Sequence, residues 1–159
     1  MAQQDVSTMR SAYEAFNRGD IPAVLNAFDP QIEWHEPGGG RSPRGTYHGA
    51  QNVAKDVFST VPENFDAFQA EQDQVIDAHE HVVVIGRFRG KAKSGAALDV
   101  PYVHVWAMRN GKAVSFHNYV EIVRESARAT GRNIQPDTLK RGTNRLFQLP
   151  QPHRVPLTI

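Results

Sequence analysis

The stretch DVPYVHVWAMRNGKAVSFHNYVE, residues 99–121, decides how the chain folds. Two runs rich in Val, Tyr, Trp and Phe flank Asn110-Gly111, the pattern of a β-hairpin. On the first arm Tyr102, His104, Trp106 and Met108 share one face and Val103, Val105 and Ala107 the other, so both faces can be covered by other structure. On the second arm Val114, Phe116, Val120 and Ile122 alternate with Ser115, His117, Tyr119 and Glu121, and Asn118 alone breaks the apolar series. An imidazole and an amide among large apolar side chains are what a small-molecule pocket looks like from inside, and equally what a satisfied structural polar pair looks like.

The turn decides which of these residues meet. A two-residue turn at Asn110-Gly111 sets Arg109 opposite Lys112 and His104 beside His117. A three-residue loop, with Gly111 at the left-handed bulge position, sets Met108 opposite Lys112, brings His104 to face Phe116 and puts Asn118 near Tyr102. The second register is preferred, because it lays the aromatic row of one arm beside the apolar row of the other. There His104 and Asn118 share the inner face; in the first register that grouping comes apart.

Upstream, Val6, Met9, Tyr13 and Phe16 fall at helical spacing between a capping Asp5 and a terminating Gly19, predicting a helix over roughly residues 6–18. Asp20 caps a second helix with Pro22 in its first turn, ended by Asp29-Pro30. In residues 31–36 Ile32, Trp34 and Glu36 alternate with Glu33 and His35, which predicts a strand whose inward series finishes on a carboxylate. Residues 37–49, PGGGRSPRGTYHG, read as a flexible loop beside Glu36. A third helix is expected from Ala50 to Val61, closed by Pro62, followed by strands from about Phe68 to Ile76 and from Val82 to about Lys91.

Helices first and antiparallel strands after argue an α+β class: a cone-shaped α+β barrel with three N-terminal helices packed on a curved, mostly antiparallel sheet. Gly38-Gly39-Gly40 has neither the spacing nor the following helix of a phosphate or dinucleotide loop. Beyond Glu121 a short helix from Ile122 to about Thr130 is expected. The chain divides into a domain over residues 1–130 and an irregular arm over 131–159, whose Leu146, Phe147 and Leu149 are too apolar for a freely solvated tail.

Composition narrows the function. Eighteen basic against seventeen acidic residues, with no basic block, argue against nucleic acid. The absence of cysteine removes thiol catalysis, disulfides and thiolate metal sites. No apolar run approaches membrane-spanning length and the first residues carry no apolar signal core, so a cytoplasmic protein without membrane contact is expected. The seven histidines show no metal-ligand spacing, and neither metal nor cofactor is expected.

The segments YEAFNRGD (13–20), IEWHEPGG (32–39), YHG (47–49) and VHVWAMRNGKAVSFHNYVE (103–121) resemble the SnoaL-like branch of the nuclear-transport-factor-2-like superfamily, over about residues 6–125. The resemblance implies the α+β cone, a pocket between sheet and helices, and commonly a homodimer through the outer sheet face, here the face of Val103, Val105 and Ala107. Set against ketosteroid isomerases, Glu36 falls where the family carries its general base and His104 near the acidic oxyanion-hole residue, while the helix-one tyrosine position falls on Ala12, one place before Tyr13. Set against limonene epoxide hydrolases, Arg87 matches the arginine of the aspartate-arginine-aspartate set, but Arg89 and Asn118 stand where the aspartates belong.

The expected function is cofactor-independent acid/base chemistry on a small hydrophobic carbonyl compound, of isomerase, polyketide-cyclase or dehydratase type. Glu36 would take a proton while His104 and Asn118 stabilise the enolate. Tyr13, Trp34, Arg87, Tyr102, Trp106 and Phe116 are the candidate substrate-binding residues. Two alternatives stand beside this: a non-catalytic module binding a small hydrophobic ligand, and an epoxide hydrolase acting through a carboxylate and Arg87.

Overall fold

A computed structural model describes residues 2–39 and 42–120. The expected helix at 122–130 and the arm at 131–159 lie outside the described residues. Helix α1 (Ala2–Asn17) is followed by a short α2 (Ile21–Leu25), whose Asp20 side chain accepts from the Ala23 N–H at 3.2 Å as an N-cap. Strands β1 (Phe28–Gly39) and β2 (Ser42–His48) form a hairpin. A third helical segment runs as α3 (Ala50–Val53), a π-helical turn (Ala54–Phe58) and α4 (Thr60–Asn64). Four strands complete the domain: β3 (Phe65–Ala78), β4 (His81–Ala92), β5 (Ala97–Arg109) and β6 (Lys112–Val120).

The strands form one open sheet in the order β2-β1-β6-β5-β4-β3, antiparallel except where β1 runs parallel to β6. The helices pack on its inner face, and the core joins Met9 and Tyr13 of α1 to Ile32, Val84, Trp106 and Phe116 of the sheet. This is the cone-shaped α+β fold that the segregation of helices and strands predicts.

Two local expectations are corrected. Residues 42–48 are not loop but β2, paired with β1 from Glu33↔His48 to Gly39↔Ser42. Pro37 fits within β1 because β6 pairs no further than His35, leaving the single-neighbour condition under which a strand tolerates proline. Pro62 does not close the third helix but sits in the first turn of α4, where a missing N–H costs no intrahelical bond.

The hairpin between β5 and β6 matches neither expected register. Its turn has two residues, with Arg109 opposite Lys112 and both Asn110 (φ 52°) and Gly111 (φ 73°) in the left-handed region, the geometry of a type I′ turn. Past Met108↔Ala113 a bulge leaves Val114 unpaired, and the ladder resumes at Ala107↔Ser115. The Ala113 N–H points out of the hairpin and donates to the carbonyl of Ala27 at 2.9 Å. The slip returns His104 and Asn118 to one face and sets them directly opposite each other.

Candidate functional site

A cavity of about 140 Å³ lies between the inner sheet face and the helices. Its wall is dominated by aromatic rings from five strands and two helical segments, among them Phe58, Phe68, Phe88, Trp34, Trp106 and Phe116. Trp34 and Phe116 are paired across β1 and β6 and stack with centroids 3.8 Å apart. Such contacts add about 0.5–1.5 kcal/mol each beyond area burial.

Four polar side chains cross the wall as a connected seam. Asn17 anchors the end of α1 to β3, donating to the Ala70 carbonyl at 3.1 Å and accepting from the Ala70 N–H at 2.8 Å. One turn earlier, Tyr13 is thereby aimed at the centre of the sheet. The Trp106 indole N–H donates to the Tyr13 hydroxyl oxygen at 3.0 Å, and that hydroxyl lies 2.5 Å from His104 Nδ1. With the oxygen already accepting from Trp106, the tyrosine proton goes to Nδ1, which leaves Nε2 of the neutral imidazole carrying its hydrogen. Burial holds the Tyr13 phenol well above its ordinary pKa, so it stays protonated.

On the other side of the seam, Glu36 accepts from the Trp34 indole N–H at 2.7 Å through Oε1 and from the Asn118 amide at 2.9 Å through Oε2. Trp34 and Glu36 are two apart on one strand face, so this contact follows from strand alternation. The Asn118 N–H₂ faces the carboxylate, which turns its Oδ1 toward His104, its cross-strand partner. Glu36 and His104 are not bonded directly but linked through Asn118.

His104 is 4% exposed. Burial lowers its pKa to about 3 and the facing Asn118 side chain partly opposes this, so it acts as a neutral donor and not as a cation. Because the folded value lies below the ordinary 6.5, the unfolded chain binds the extra proton first. Stability is complete above about pH 6.5 and is lost as pH falls toward 3, by up to about 1.4 kcal/mol per pH unit from this group. Urea denaturation at a series of pH values should show this slope, and a His104→Phe protein should show one shallower by up to that amount.

Of the expected binding residues, Tyr13, Trp34, Trp106 and Phe116 line the cavity with Glu36, His104 and Asn118. Ala12 lines it too, so the helix presents both candidate tyrosine positions to the interior. Two expectations are corrected. Arg87 does not line the cavity: it belongs to the outer row of β4 and donates to Asp99 Oδ1 at 2.7 Å. With Arg89 paired to Glu71 at 3.0 Å on the same outer side, the arginine that matched the epoxide-hydrolase set faces away from the cavity. Tyr102 is buried on the inner row but is not exposed to the cavity; its ring stacks under His104 at 3.9 Å, and its hydroxyl donates to the Glu71 carbonyl at 2.6 Å. Sequence reasoning missed the indole N–H donors of Trp34 and Trp106, which it had read only as wall.

Helices on the concave face of an open mixed sheet, enclosing an aromatic cavity, define the nuclear-transport-factor-2-like class. Within it, the chain belongs to the SnoaL-like domain family, whose sequence profile matches residues 9–116. It is similar to an NTF2-like protein of unknown function from Burkholderia pseudomallei, 32% identical, with 80% of this chain and 98% of that one covered and a TM-score of 0.74. It is also similar to TerC, co-crystallised with polyporic acid, at 25% identity, 80% and 98% coverage and a TM-score of 0.73. A SnoaL-like polyketide cyclase from Jannaschia sp. CCS1 shares the fold at 15% identity, 82% and 94% coverage and a TM-score of 0.70. No curated protein matches. Among the described residues no helix is long and apolar enough to cross a membrane.

Proposed function

We propose that the protein is a cofactor-independent acid/base enzyme acting on a small hydrophobic carbonyl compound. The observation that carries this reading is the convergence of the Glu36 carboxylate and the His104 imidazole on one aromatic cavity, bridged by Asn118. Glu36 takes a proton from the carbon beside the carbonyl. The Nε2–H of His104 hydrogen-bonds to the carbonyl oxygen as negative charge gathers there, in a site walled largely by aromatic rings. Isomerisation, aldol cyclisation and dehydration all begin with this abstraction; in isomerisation protonated Glu36 returns the proton at a neighbouring carbon, in cyclisation to the alkoxide formed when the enolate carbon attacks a second carbonyl, and in dehydration to the departing hydroxide. Asn118 holds Glu36 in place through its amide N–H. The test is solvent-deuterium exchange into small apolar ketones, followed by proton NMR; exchange accelerated by the protein supports the reading, and background rates across a panel of one- and two-ring ketones contradict it.

One observation favours a second reading, a non-catalytic binding site: both Glu36 oxygens already accept from fixed N–H donors, as in a structural carboxylate. Binding of the same ketones without exchange would select it.

We further propose a homodimer through the outer sheet face. Ile76, Val83, Val105 and His117 stand opposite one another across four strands, and Ile76, Val103 and Tyr119 are exposed there at 39%, 36% and 58%. Light scattering should give twice the chain mass, reduced to the monomer mass by Val103→Asp; a monomer for the unaltered protein contradicts it.

A further inference from the structure

The Glu36 carboxylate and one of the donors that hold it come from the same strand. Trp34 and Glu36 are two residues apart on the inner face of β1, and the indole N–H donates to Glu36 Oε1 at 2.7 Å. The indole is packed on three sides. Phe116, its partner on β6, stacks on it with ring centroids 3.8 Å apart, and Phe58 and Trp106 meet it edge-on at 5.4 and 5.5 Å.

The other tryptophan of the wall makes a matched comparison. Trp106 is as deeply buried as Trp34, each at 4% exposure, and its ring also contacts Phe116. Its indole N–H, however, goes to the Tyr13 hydroxyl and not to Glu36. An N–H that donates to a carboxylate favours the ionised form over the protonated one. A carboxylate offers about four lone-pair sites, so the bonds from Trp34 and Asn118 do not by themselves use up its capacity to take a proton.

We infer that Trp34 is a positioning residue for the Glu36 base: its indole N–H holds Oε1 at the cavity wall and keeps the carboxylate ionised to a lower pH than a phenyl ring in its place would. This rests on the acid/base reading and deepens it, because a bond that a structural carboxylate would also make here sets the pH at which the base becomes available.

Trp34→Phe keeps an aromatic ring and removes this N–H; Trp106→Phe makes the same change one ring away. Deuterium exchange into cyclohexanone and 1-tetralone is followed by proton NMR over a series of pD values, with the protein-free rate subtracted. The acid limb of that profile reports the ionisation of the base. In Trp34→Phe the limb is expected about one pD unit higher, the scale of losing one bond to the charged form. In Trp106→Phe it is expected to stay within about a third of a unit of the unaltered protein. Lost packing lowers the plateau in either variant and leaves the limb in place.

A second measurement leaves Trp34 intact and decides if Trp34→Phe does not fold. The Trp34 indole N–H proton signal should move with pH, its midpoint on the acid limb of exchange, and should cease to do so in Glu36→Gln. A limb unmoved by Trp34→Phe, an equal displacement in both variants, or an indole signal that does not follow the limb overturns the inference and leaves the acid/base reading standing. No exchange by the unaltered protein at any pD overturns both.

Discussion

A Glu36→Gln protein is expected to lose deuterium exchange by about two to four orders of magnitude, the usual contribution of a positioned general base. The substitution keeps the size and shape of the side chain and removes its basicity. Of its bonds to Trp34 and Asn118, the amide oxygen can still accept one, but the amide nitrogen cannot accept the other. That costs about 1–3 kcal/mol, so the variant should remain folded with an altered melting point while the exchange rate collapses. Exchange within a few-fold of the unaltered protein would remove Glu36 from the chemistry.

A Gly86→Ala protein is expected to lose about 3 kcal/mol or more of stability, corresponding to a fall in melting temperature of roughly 10 °C for a domain of this size. Gly86 lies opposite Tyr102 on β5 and Gln72 on β3, where the tyrosine passes over β4 to reach the Glu71 carbonyl. A Cβ at residue 86 would stand 1.9 Å from that carbonyl oxygen and 2.6 Å from the Tyr102 hydroxyl. Backbone must move, and with it the ring on which His104 is stacked. Adding Tyr102→Phe relieves only the hydroxyl contact, so rescue should be partial. An unchanged melting temperature for Gly86→Ala would mean that Tyr102 does not cross β4 in this way.

Much of the fold was legible because the hairpin arms and α1 keep their periods: Tyr102, His104, Trp106 and Met108 do form the inner row, and Met9 and Tyr13 do face the sheet. β2 was not legible, since Gly, Pro and Arg in SPRGTYH carry no alternation and its pairing is imposed by β1. The hairpin register shifts at a bulge between Met108↔Ala113 and Ala107↔Ser115, beyond the turn, so no reading of the turn residues alone reaches it. Tyr13 could be assigned to the inner face by spacing, but its bond to His104 depends on where α1 crosses the sheet, which Asn17 and Ala70 fix. Arg87 was legible after all: alternation from Val82 and Val84 already sends it to the outer row.

The central claim is that Glu36 and His104 address one ligand. A crystal structure with a small apolar ketone bound tests it directly. The account predicts the ketone oxygen within hydrogen-bonding distance of His104 Nε2 and the adjacent carbon against the Glu36 carboxylate; a ketone whose oxygen points away from both residues would contradict it.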